Sequence, residues 1–73
     1  MMDEQYRGNT ITANSTQQPD GKWLPVAKIE VHFGRAVRTR PPVVAEPHEA
    51  RLTKQAADLV AIRMAKQWID EHG

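Results

Sequence analysis

Residues 47–71 read PHEARLTKQAADLVAIRMAKQWIDE, and this stretch decides what the rest of the chain packs around. No proline or glycine interrupts it after Pro47, and Ala, Leu, Met, Gln, Lys and Arg, all good helix formers, fill its interior. Wound at about 100° per residue, Ala50, Ala57, Val60, Ala61, Met64, Ala65 and Trp68 fall in one sector, the pattern of an amphipathic helix. Pro47 suits a first helical turn and Glu49 suits the positive end of the helix dipole, whereas Glu46 is a poor N-cap. The periodicity predicts one helix of about 37 Å from Pro47, ending near His72 and Gly73.

Upstream of it the pattern changes from helical to alternating. In Trp23–Phe33, WLPVAKIEVHF, the odd positions Trp23, Ala27, Ile29, Val31 and Phe33 are apolar, while Lys28, Glu30 and His32 alternate with them. That is the period of a half-buried strand, with Pro25 unable to donate a ladder bond. Tyr6–Ala13 predicts a first strand with Gly8 as a bulge, and Pro19-Asp20-Gly21 carries turn chemistry. Gly34 reads as the tight turn of a hairpin leading to a third strand over Ala36–Val44, with Val37 on the side of Ile29. Pro41 and Pro42 force that strand to an edge or split it after Arg40.

The economical assembly is an α+β fold in which a three-stranded antiparallel sheet packs on one long C-terminal helix, a βββα order. The odd face of the second strand meets the Ala57–Val60–Met64–Trp68 stripe, and Trp68 either caps the core edge or faces a partner. The 73 residues suffice for a single domain spanning 1–73, with residues 1–5 and 72–73 expected to fray. With no cysteine there is neither a disulfide framework nor a thiolate metal site. No apolar run is long enough to cross a bilayer and no basic-then-apolar leader follows Met1, so the expectation is a soluble, cytoplasmic protein with no membrane contact.

The net charge of +1 conceals an asymmetry. Residues 22–40 carry Lys22, Lys28, Arg35, Arg38 and Arg40 against Glu30 alone, a balance of +4, while residues 1–21 stand at −2 and residues 41–73 at −1. Such an imbalance speaks to partners rather than to fold.

The series Gly8, Ile11, Gly21, Trp23, Ile29, Glu49-Ala50, Ala57 and Trp68-Ile69-Asp70 resembles a group of short, uncharacterised bacterial proteins ending in an alanine-rich helix with Trp-Ile-Asp. The resemblance covers nearly the whole chain and implies a βββα fold without an assigned activity. A Thr or Ser commonly opens the helix in that group, and Glu46 occupies the place here. Tyr6-Arg7-Gly8, Gly21-Lys22-Trp23 and Ala56-Ala57-Asp58 are also similar to pieces of the plant AP2 DNA-binding domain, whose three-stranded sheet lies in the major groove. The tryptophan-leucine-glycine element of its third strand is missing, so the likeness is architectural and transfers no base-contacting residue.

Catalytic chemistry finds little support. His32, His48 and His72 are scattered, and His48-Glu49 begins like a zinc-protease helix but has Leu52 where the second histidine must stand. The expectation is no enzyme, no cofactor and no metal. If the second strand buries its odd face, Lys28 and His32 project outward with Arg38 and Arg40 beside them and Arg7 adding to the surface, a sheet face able to meet phosphates of nucleic acid weakly. The competing account is a set of solvated charges protecting an edge, with Glu30 in their midst. A second class of function is a protein-interaction or homodimeric module, because Leu52, Leu59 and Ile62 lie opposite the core stripe. A broader or rotated core sector would instead bury Leu59.

Overall fold

The computed structural model describes residues 2–72. Its main sheet is formed by β1 (Met2–Tyr6), β2 (Asn9–Ala13), β5 (Val26–Phe33), β6 (Ala36–Thr39) and β7 (Val43–Val44); β3 (Thr16–Gln17) and β4 (Trp23–Leu24) make a separate two-stranded ribbon. A 3₁₀ turn, Pro47–Glu49, precedes the single α-helix α1, Lys54–His72. The order across the sheet is β1-β2-β5-β6, with β7 also pairing with β5, and every pairing is antiparallel. The chain is therefore α+β with a C-terminal helix on an antiparallel sheet, but the sheet has five strands, not three.

The extra strands arise where turn chemistry cuts the expected ones. Arg7 and Gly8 both take positive φ, 48° and 76°, and form a two-residue turn that pairs Tyr6 with Asn9. This is the backbone of a type I′ hairpin rather than a bulge. Met2–Gln5, expected to fray, thereby becomes the edge strand β1, while Met1 and Gly73 lie outside the described residues. Pro25, with no N–H to offer, separates β4 from β5 and is itself fully buried. Pro41-Pro42 divides the third strand into β6 and β7.

The expected polarity of β5 holds through its first half: Lys28 faces solvent, whereas Ala27 and Ile29 are 0 % exposed. They meet Ile11 and Ala13 of β2 and Ala61, Ile62, Ala65 and Ile69 of α1 in one core, with Met2, Tyr6, Val43 and Trp68 at its margin. Half of that core is alanine (Ala13, Ala27, Ala61 and Ala65) and half isoleucine. The buried sector of the helix is thus rotated towards Ile62 and Ile69 from the Met64–Trp68 line, and both Met64 and Trp68 are only half-buried.

The helix also starts later than its periodicity suggests. Arg51 exchanges two backbone hydrogen bonds with Trp23, at 2.8 and 2.7 Å, which holds it in an extended bridge and removes it from any helix. Two residues on, the Thr53 hydroxyl accepts from the Ala56 amide at 3.2 Å, an N-cap contact. The cap is therefore Thr53, not Glu46, and α1 is about 28 Å long for its 19 residues. One turn further, buried Asp58 accepts from the Ser15 amide at 3.0 Å and pairs with Lys54 at 2.8 Å, tying the β2–β3 connection to the helix. Burial alone would raise the Asp58 carboxyl, but the bonds from Lys54 and Ser15 outweigh it and hold the group below the ordinary carboxylate value.

Candidate functional site

The β5–β6 hairpin determines where the cations go. Gly34, at φ 58°, and Arg35 make a two-residue turn that sets Phe33 opposite Ala36, His32 opposite Val37, Val31 opposite Arg38 and Glu30 opposite Thr39. Paired residues share a face, so the even positions of β6 join the odd positions of β5. Arg38 and Arg40 consequently lie on the helix side of the sheet, and Val37 lies outside with His32. This corrects the expected outward patch: Lys28 and His32 occupy one face and Arg38 the other, while Arg40, on the helix side by register, also borders a hollow on the outer face.

The outer face is mixed in charge. Lys28 lies 3.8 Å from the Glu30 carboxylate, and the His32 ring is hydrogen-bonded to the Thr10 hydroxyl at 2.7 Å. Register adds Asp3 from β1 to the same face, opposite Thr12. A depression there of about 630 Å³ is bounded by the cations Lys28 and Arg40 as well as by Thr12, Asn14, Val26 and Thr39, so Arg40 borders the hollows of both faces.

On the helix side the arginines converge on one end of the molecule. Arg40 is half-buried, with its guanidinium 5.8 Å from the centre of the Trp68 ring, and Arg38 stands 5.9 Å from the Phe33 ring. Trp68 also stacks on His72, ring centres 4.3 Å apart and planes 9° from parallel, as side chains four apart on a helix face permit. Arg7 approaches from the β1–β2 turn, 3.4 Å from Asp70, whose carboxylate also accepts from the Tyr6 hydroxyl at 2.9 Å. The Asn9 amide donates to the carbonyls of Tyr6 and Arg7 at 3.2 and 3.0 Å, bracing that turn. Between these elements lies a groove of about 300 Å³, lined by Arg7, Asn9, Val31, Phe33, Arg40 and the Trp68–His72 pair.

Charge balance separates these arginines into two kinds. Arg7 has Asp70 as its counter-ion. Among the described residues no carboxylate lies within 4.0 Å of Arg35, Arg38 or Arg40. For Arg35 and Arg38, which are exposed, this leaves two solvated charges open to an anionic partner; for Arg40 it leaves a partly desolvated cation whose buried Nε also lacks a hydrogen-bond partner. Aromatic faces compensate only in part.

The backbone at Arg7 is also informative. A left-handed conformation costs an L residue with a Cβ about 1–2 kcal/mol, and asparagine or glycine usually fills this turn position. An arginine kept there places a cation at the mouth of the groove against local preference, the kind of strain that gathers at functional sites.

The structure thus brings Arg7 and Arg40 of the expected basic set to one groove with Arg38 beside it at Phe33, and places Lys28 with Arg40 at the outer hollow and His32 against Thr10. It adds Phe33, His72 and Asn9, which the sequence did not single out for a site, and Trp68, which it left between the core edge and a partner-facing place. Phe33 had one legible signal: an inward-type position at the very end of its strand. Of the expected interface residues, Leu52 and Leu59 are 81 % and 56 % exposed, but Ile62 is in the core and must be removed from that flank. His48 lies on the 3₁₀ turn, and the described residues contain no group of three histidines and acids placed to hold a metal. No helix among them is long and apolar enough to cross a membrane. Comparison with protein-family models, curated proteins and solved structures gave no match.

Proposed function

We propose that the chain is a non-catalytic binding module that engages nucleic acid through its arginine-bearing end, not through the open face of the sheet. The observation that carries this reading is the set of Arg35, Arg38 and Arg40 on one hairpin, none neutralised by a carboxylate of the described residues. Three such cations suit a polyanion whose condensed counter-ions are released on contact, a sequence-independent and salt-sensitive mode of binding. The structural alternative is that the arginines keep the β6 edge from pairing with other chains. Fluorescence anisotropy of labelled oligonucleotides at low and moderate salt separates the two, with an Arg35→Ala/Arg38→Ala variant in parallel. Both side chains are exposed, so the variant keeps its fold. Binding should weaken with salt, and the double change should flatten the log K against log salt slope by about 2. Lack of binding at low salt, or an unchanged affinity in the variant, sinks the reading.

A second reading, a homodimer through the outer helix flank, retains Leu52 and Leu59 in its favour because both remain exposed. Sedimentation of the wild type against Leu59→Glu decides it: a concentration-dependent dimer lost in the variant supports the flank, and a monomer at high concentration removes it.

A further inference from the structure

Resting on the nucleic-acid reading, we infer that the groove between the β5–β6 hairpin and the C-terminal end of α1 holds an unpaired nucleotide of a single strand, rather than the surface of a duplex. The argument begins with shape. Arg38 stands at Phe33, beside a partly open groove of about 300 Å³ that Arg40 and Arg7 border between the sheet, the end of α1 and the Arg7–Gly8 turn. That is the low end of volumes that enclose a small organic ligand. It admits one planar base with its phosphate. A duplex keeps its bases stacked inside and would meet only the rim.

Chemistry points the same way. Single-strand sites combine a cationic track for phosphates with aromatic faces on which bases stack. Phe33 is 56 % exposed although it sits at the end of an inward-facing series, with Arg38 over it at 5.9 Å. Val31, two residues back on the same strand face, continues the apolar floor into the cavity. Trp68 is engaged by both Arg40 and His72, so it serves as a fixed wall that aims the Arg40 guanidinium, while Phe33 is the open platform. Arg40, half-buried without a carboxylate among the described residues, gains a counter-charge when a phosphate enters. Asp70 and Glu71 at the helix end oppose anions, and Arg7 covers Asp70. The cations left to meet a phosphate are therefore Arg40 in the groove and Arg38 beside Phe33.

The test uses the full chain and three probes at low salt: a labelled oligothymidine, a labelled duplex of the same length, and thymidine monophosphate as competitor. The single strand should bind at least about ten-fold more tightly than the duplex, and the mononucleotide should compete only at far higher concentration. Phe33→Ala should weaken single-strand binding about ten-fold, the size of one lost base–aromatic stack, and leave the duplex unchanged. Phe33→Trp, which restores a larger face, should recover the affinity. Quenching of tryptophan fluorescence by the oligothymidine should be lost with Phe33→Ala. Equal or tighter duplex binding, or indifference of the single strand to Phe33→Ala, overturns the inference while the broader nucleic-acid reading stands. Competition by the mononucleotide at the strand's own concentration overturns the strand as ligand in favour of a free nucleotide. Failure of all three probes overturns both.

Discussion

Strand β5 runs through two different environments, and comparing its halves explains most of the molecule. In Ala27 and Ile29 the inward side chains are wholly buried under α1; six residues beyond Ala27, Phe33 has the same orientation and is 56 % exposed. The alternation does not change along the strand. What changes is the cover: Ile29 lies in the core shared with α1, whereas Phe33 borders the open groove beside Trp68 and His72. An inward-facing position is core only where a second layer reaches it. Past that limit the same pattern yields an apolar and arginine-lined surface, which is where the candidate site lies.

This contrast breaks first at Ile29. Ile29→Ala should cost about 2–5 kcal/mol in urea unfolding, whereas Phe33→Ala should stay within about 0.5 kcal/mol of wild type. Comparable losses would mean that the hairpin belongs to the cooperative core. Asp58 probes the opposite end of the sheet, where the Ser15 loop is pinned. Asp58→Asn should destabilise by about 1–3 kcal/mol, since Lys54 loses its partner in a buried setting. Its carboxyl is held low in the folded chain, so its contribution is complete above the ordinary carboxylate value and disappears as pH falls below about 4. Unfolding curves from pH 7 to pH 3 should accordingly fall more steeply for wild type than for the variant.

Two smaller changes sharpen the comparison. Thr53→Ala should cost about 0.5–2 kcal/mol as the cap of α1 is lost, while Glu46→Ala should be silent by thermal melting. The reverse ranking would return the helix start to residue 47. Arg7→Asn should leave the fold as stable or stabilise it by up to about 1 kcal/mol, because asparagine accepts the left-handed turn. The same substitution should weaken oligonucleotide binding. A variant that is both more stable and a poorer binder would identify Arg7 as kept for function; one that loses stability would make the Arg7–Asp70 pair structural.

The chain's alternation and periodicity, taken alone, were enough to establish a C-terminal helix, a central strand with Ala27 and Ile29 inward, and a hairpin at Gly34, because these depend on neighbours a few residues apart. They did not determine which way Arg38 and Arg40 point. That follows from a two-residue turn whose register couples odd positions of β5 to even positions of β6, and a slip of one residue would have exchanged the faces. Nor did the repeating pattern of residues 47–71 mark where the helix begins, since Arg51 has helical propensity but is held extended by Trp23, far away in sequence. Local chemistry chose the elements and the inward face of the central strand. Only the packed chain decided how far the helix covers that face, and hence which arginines are left around an open groove.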